Sequence, residues 1–156
     1  MSRSDALFAL TLLELEDVGR VTAARLLRHF EHVEAIRAFP REQLLHRISR
    51  VPRGEKIVQR LHEEDVVAEA AARAEERLGI LEDKDVQILV QHRDHYPKRL
   101  YDLERSDRPV HLFLYGSSGR LRDPLLGLFG SAPLPDAAFE AAQELGDRLR
   151  PTEAIP

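Results

Sequence analysis

One change of hydrophobic period, at Gly79, does most to limit what this chain can fold into. Before it, apolar residues recur every three or four positions, as on one face of a helix. After it they gather in short aliphatic runs bounded by Gly, Pro, Asp or Ser, the pattern of strands. The expected fold class is therefore α+β to α/β, with a helical module over 1–80 and a small α/β unit over 81–156.

Within the first part, Leu7, Leu10 and Leu13 mark a first helix, with Ser4 as its N-cap. Asp17-Val18-Gly19 interrupts it, and a second helix runs from Thr22 to Phe30. A third, Val33 to Phe39, ends at Pro40, whose ring suits the first turn of a fourth passing through Leu44, Leu45 and Ile48. Val51 to Gly54 reads as a turn. Ile57, Val58, Leu61 and the alanines from Ala68 to Ala74 then predict one long helix over Glu55 to Leu78, capped by Gly79. Beyond it, Val86 to Val90, Val110 to Tyr115 and Leu125 to Phe129 are expected strands, followed by a helix from Asp136 to Leu149.

Charge is distributed unevenly. The net charge is only −4, yet residues 20–60 carry ten Lys/Arg against four Glu, and residues 61–86 carry nine acids against three bases. Two readings are open: solvated helical faces that neutralise each other across the fold, or a nucleic-acid footprint on the basic part. With 43% hydrophobic residues the chain can bury a core. Its longest apolar stretch, Ala6 to Leu13, is too short to span a bilayer. There is no cysteine, so disulfides and thiolate metal sites are excluded, in keeping with an expected cytoplasmic location. His92, Asp94 and His95 cluster, but they lack helical i, i+4 spacing, and no metal or other cofactor is expected. No nucleophile elbow, Walker loop or complete dinucleotide fingerprint is present, and no enzymatic activity is expected.

Two motifs carry a resemblance. Leu15 to Leu27, with its Val18-Gly19 turn, is similar to a helix-hairpin-helix, in which backbone N–H groups at the start of the second helix meet a phosphate. Asp17 stands where the usual pattern has a glycine. Then Tyr96-Pro97-Lys98-Arg99-Leu100 is followed by Pro109, an apolar run ending at Gly116, Leu121, the run Leu125 to Phe129, and Gly130-Ser131-Ala132. In this order the segments resemble the DprA/Smf family of DNA-processing proteins across nearly the whole chain. The resemblance implies a SAM-like or helix-hairpin-helix module followed by a small, incomplete Rossmann-like unit. It also implies binding of single-stranded DNA in natural transformation and recombination, with RecA as a partner.

Family members have Gly-Ser-Arg where this chain has Gly130-Ser131-Ala132, and only Arg150 to Pro156 follow the last helix. The chain end is accordingly read either as a truncation or as a shortened relative. In the second case the sheet edge beside Leu125 to Phe129 becomes a surface for homodimer formation. Arg20, Arg25, Arg28 and Arg53 are the expected phosphate contacts, with Gly130 and Ser131 as backbone donors. The alternative is a degenerate relative that acts as a protein–protein interaction or dimerisation module without binding DNA.

Overall fold

The computed structural model of the chain describes residues 2–49, 51–116 and 136–149. The fold is mixed α+β and mostly helical. In order it contains α1 (Arg3–Glu14), α2 (Arg20–His29), α3 (Val33–Arg37), α4 (Arg41–Arg47), α5 (Gly54–His62), α6 (Glu64–Glu82), β1 (Val86–Val90), a short 3-10 helix (Lys98–Asp102), β2 (His111–Tyr115) and α7 (Asp136–Leu149). The expected strand Leu125 to Phe129 and the turn Gly130-Ser131-Ala132 lie outside the described residues. The chain divides into two compact units, 1–122 and 123–156, so the change of period at Gly79 falls inside the first unit.

α1 is the centre of that unit. Ala6, Phe8, Ala9, Leu10, Thr11 and Leu12 are all buried, and the Thr11 hydroxyl is satisfied by donating to the Leu7 carbonyl at 2.8 Å. α6 packs along it more extensively than any other helix. Its buried face is Val67, Ala70, Ala74 and Leu78, and the two small alanines let the helix axes approach closely. Ion pairs pin both ends of this packing. Arg3 bridges Glu75 and Glu82 at one end, and Glu14 meets Arg73 and Arg77 at the other.

Several helix boundaries differ from the sequence expectation. α1 begins at Arg3, so Ser4 lies inside it rather than at its cap. The single helix expected over Glu55 to Leu78 is two, broken at Glu63, whose ψ of 109° is extended. Gly79 does not cap α6, which runs on to Glu82. A left-handed Asp85 (φ 54°) then redirects the chain into β1.

β1 and β2 pair antiparallel, with Ile88 opposite Phe113 and Val90 opposite His111. Ile88, Val90 and Val110 join the same buried cluster as the helices, so the hairpin is part of the helical core. Arg93, just after β1, ties it further. Its guanidinium donates to Asp5 Oδ1 (2.7 Å), the Leu27 carbonyl (3.0 Å) and the Phe30 carbonyl (2.8 Å), thereby satisfying the C-terminal end of α2. The loop before β2 is held by Tyr96, whose hydroxyl donates to the Pro109 carbonyl at 2.6 Å. Tyr96-Pro97 thus joins the two strands. Among the described residues no helix is long and apolar enough to cross a membrane.

Candidate nucleic-acid interface

The turn between α1 and α2 is built around Asp17. Its φ is 69°, the left-handed region that glycine enters freely and Asp or Asn tolerates best among other residues. The backbone here takes a conformation that glycine adopts freely and adds a carboxylate to it. Gly19 follows as the N-cap of α2, so the first N–H groups of that helix lie next to the turn.

The carboxylate is engaged. Arg53 donates to Asp17 Oδ1 at 2.7 Å, and Lys56 Nζ lies 2.8 Å from Oδ2. These two cations hold the Asp17 carboxyl below the usual carboxylate range, Lys56 contributing most. Arg60, one turn further along α5, pairs with Glu16. Arg53 caps α5, and Lys56 and Arg60 lie one turn apart on it, so the acidic turn neutralises a group of basic residues. Arg53 is itself left-handed at φ 60°, an unusual conformation for a long side chain, and the ion pair helps to hold it there.

The remaining expected contacts behave differently from Arg53. Arg20 and Arg28, both on α2 and exposed, make no hydrogen bond or ion pair with another described residue. Arg25 is half-buried, and its Nη1 donates to the Ser49 carbonyl at 2.8 Å, linking α2 to the end of α4. Gly130 and Ser131 lie outside the described residues. Among the described residues, Arg37–Glu64 is the one ion pair joining the basic segment 20–60 to the acidic segment 61–86. The two oppositely charged segments therefore do not cancel by direct pairing.

Comparison of the chain with protein-family models, with curated proteins and with solved structures finds no match.

Beside α2 the structure brings together residues that are distant in sequence. A cleft of about 540 Å³ is lined by His32, His92 and His95 together with Asp5, Glu31 and Asp94. Among the described residues, however, no group of three or more His, Asp or Glu side chains is arranged to hold a metal ion. His92 (φ 66°) and His95 (φ 72°) are both left-handed, so the loop after β1 is sharply folded. The Tyr101 hydroxyl braces this loop by accepting from the His92 backbone N–H at 3.0 Å.

Three histidines are held below their ordinary pKa. Burial is the largest cause for each, reinforced by Arg47 and Arg28 at His29, by Arg28, Arg108, Arg93 and His29 at His92, and by Arg77 at His111. At neutral pH the folded protein therefore keeps these rings uncharged, whereas the unfolded chain takes up protons near pH 6.5. Stability is fully present above that value and is lost as the pH falls through it toward the lower folded-state values. A thermal melt followed by circular dichroism is expected to show a midpoint that drops between pH 7.5 and 5. His111→Gln should shrink that drop, and an unchanged midpoint across the range would count against histidines kept neutral by the fold. Tyr96 limits the alkaline side. Burial pushes its hydroxyl up to about 12, so stability declines as the pH rises past 10.

Proposed function

We propose that this chain is a DprA/Smf-like DNA-processing module that binds single-stranded DNA through its phosphate backbone and delivers it to a RecA-type recombinase without catalysing a reaction. In this reading α1 and α2 form the helix-hairpin-helix of a SAM-like module, and the segment after α6 opens a Rossmann-like unit. The supporting observation is the pair of exposed arginines on α2, Arg20 and Arg28, which pair with no other described residue. They leave positive charge free for phosphate on the helix whose first N–H groups adjoin the turn. Arg25 contributes charge from behind, and Arg53 does so only when Asp17 releases it. Gly130 and Ser131 remain proposed backbone donors.

The test is fluorescence anisotropy of a labelled single-stranded oligonucleotide at two salt concentrations. Binding that weakens steeply with salt is expected, and no binding at low salt would refute the proposal. Asp17 provides a directional prediction. Asp17→Gly keeps the left-handed turn, removes the carboxylate and frees Arg53 and Lys56, so affinity is expected to rise several-fold. Unchanged or weaker binding by a folded Asp17→Gly variant would show that the hairpin does not meet DNA.

A second reading, a protein–protein or homodimer module, is favoured by one observation. Phe113 and Tyr115 on β2 are 47% and 79% exposed, an apolar presentation at the end of a two-stranded sheet. Sedimentation of the full chain with and without Tyr115→Lys separates this reading from the first. A dimer abolished by the substitution, together with no oligonucleotide binding, would favour it.

A further inference from the structure

We propose that Arg28, His29 and Arg47, together with His92 and Arg108, form a second phosphate-binding cluster that takes the backbone of a bound single-stranded nucleic acid. The inference rests on the proposed function, in which such a strand is the partner, and it extends the interface from the hairpin turn to the opposite end of α2.

The five residues come from four places in the chain: the last turn of α2, the last turn of α4, the loop after β1 and the segment before β2. Close approaches hold them in two groups, and Arg93, next to His92, ties the second to the end of α2 by donating to the Leu27 and Phe30 carbonyls. Arg47 Nη1 lies 3.2 Å from His29 Nδ1. A guanidinium can only donate, so this ring nitrogen accepts and the neutral His29 carries its proton on Nε2, where it is a donor to an incoming oxygen. Arg47 is set in place by Phe39, whose ring centre lies 5.0 Å from the guanidinium carbon. The His92 and Tyr101 rings are 5.9 Å apart, and the Arg108 guanidinium carbon lies 4.7 Å from the centre of the same Tyr101 ring. Arg108 donates to the carbonyls of Leu100, Tyr101 and Leu103, which fixes its direction, and among the described residues no carboxylate pairs with its charge.

Cations in the last turn of a helix also favour its dipole, which would account for Arg28, His29 and Arg47 individually. That role would stabilise a histidine as imidazolium. At His29 and His92, burial and the neighbouring cations favour the neutral ring instead. Asp5 is paired with Arg93, and Glu31 and Asp94, which line the cleft that His92 shares with His32 and His95, set two carboxylates against the three guanidinium groups of Arg28, Arg47 and Arg108. The cluster thus holds positive charge in excess of what its helix ends require, and an anion relieves the repulsion.

A bound phosphate favours the charged form of each ring, so binding takes up protons and affinity rises as the pH falls from 8 to 6. Anisotropy with labelled oligo(dT), in low salt, tests this on the full chain. Arg47→Glu is expected to weaken binding roughly tenfold. Arg47→Ala should lower the slope of log affinity against log salt by about 0.7, the increment for one phosphate of a single strand that is no longer neutralised. His29→Gln combined with His92→Asn, which retains a side chain suited to the left-handed backbone, should bind somewhat more weakly than the parent at pH 8 and show no gain on going to pH 6. If the parent binds and these variants match it at both pH values, the cluster is refuted while the hairpin reading stands. If Arg20→Glu alone weakens binding, the same conclusion follows. Failure of the parent chain to bind at low salt overturns both.

Discussion

Replacing Arg93 with alanine is expected to destabilise the fold by about 3 kcal/mol, in the range for breaking a buried ion pair by removing one partner. The side chain is 18% exposed and Asp5 26%, so both are largely withdrawn from water. Its loss strands the Asp5 carboxylate and removes the donors that satisfy the Leu27 and Phe30 carbonyls at the end of α2. Urea denaturation gives the measurement, as a lower midpoint at unchanged slope. Lysine separates charge from geometry. One ammonium cannot replace a planar guanidinium across acceptors on three residues, so Arg93→Lys should recover less than half of the stability that alanine removes. A loss below about 1 kcal/mol in Arg93→Ala would mean that the three bonds are not jointly made, since even one hydrogen bond to a charged group contributes more.

The elements legible in the sequence are those with uninterrupted local patterns. The helix expected from Asp136 to Leu149 has those bounds, and β1 is Val86 to Val90 as its aliphatic run suggests. The stretch from Glu55 to Leu78 reads as one helix because its halves are each helical and its break carries neither Gly nor Pro. A signal of the break is nonetheless present. The face set by Ile57, Val58 and Leu61 should continue at positions 64, 65 and 68, but Glu64 and Asp65 occupy the first two and the buried face resumes out of phase at Val67. Acidic residues there suit the first turn of a new helix. Gly79 misleads for a related reason: glycine caps a helix through a left-handed backbone, and here Asp85 takes that conformation six residues later.

The candidate interface is legible only where its residues are neighbours in sequence. The basic segment points to α2, and the departure at Asp17 marks the turn. Sequence could not reveal that Asp17 ties down Arg53 and Lys56, because that interaction spans more than thirty residues. The proposed grouping of His29 and Arg47 with His92 and Arg108 depends on how the loop after β1, through Arg93, meets the end of α2. His92 does stand out in the sequence, as part of a local histidine cluster. Its more informative neighbours, Arg28 and Arg108, come from elsewhere in the chain.

Ile88→Ala tests whether the hairpin and the helices are one cooperative body, as their shared core implies. Ile88 is fully buried on β1, which packs on both α1 and α6. Removing three carbons there is expected to cost about 3 to 4 kcal/mol, combining the transfer energy of the deleted atoms with the cavity left behind. Its cross-strand partner Phe113 is half-exposed, so Phe113→Ala should cost much less although it deletes a larger side chain. The form of the melt matters as much as its midpoint. If α1, α6 and β1 unfold together, helical circular dichroism and the fluorescence of the three tyrosines, Tyr96, Tyr101 and Tyr115, shift to the same lower midpoint in Ile88→Ala. If the helical part were independent, the tyrosine signal would move alone and the helical transition would stay in place. The boundary at Gly79 would then separate two stabilities as well as two hydrophobic periods.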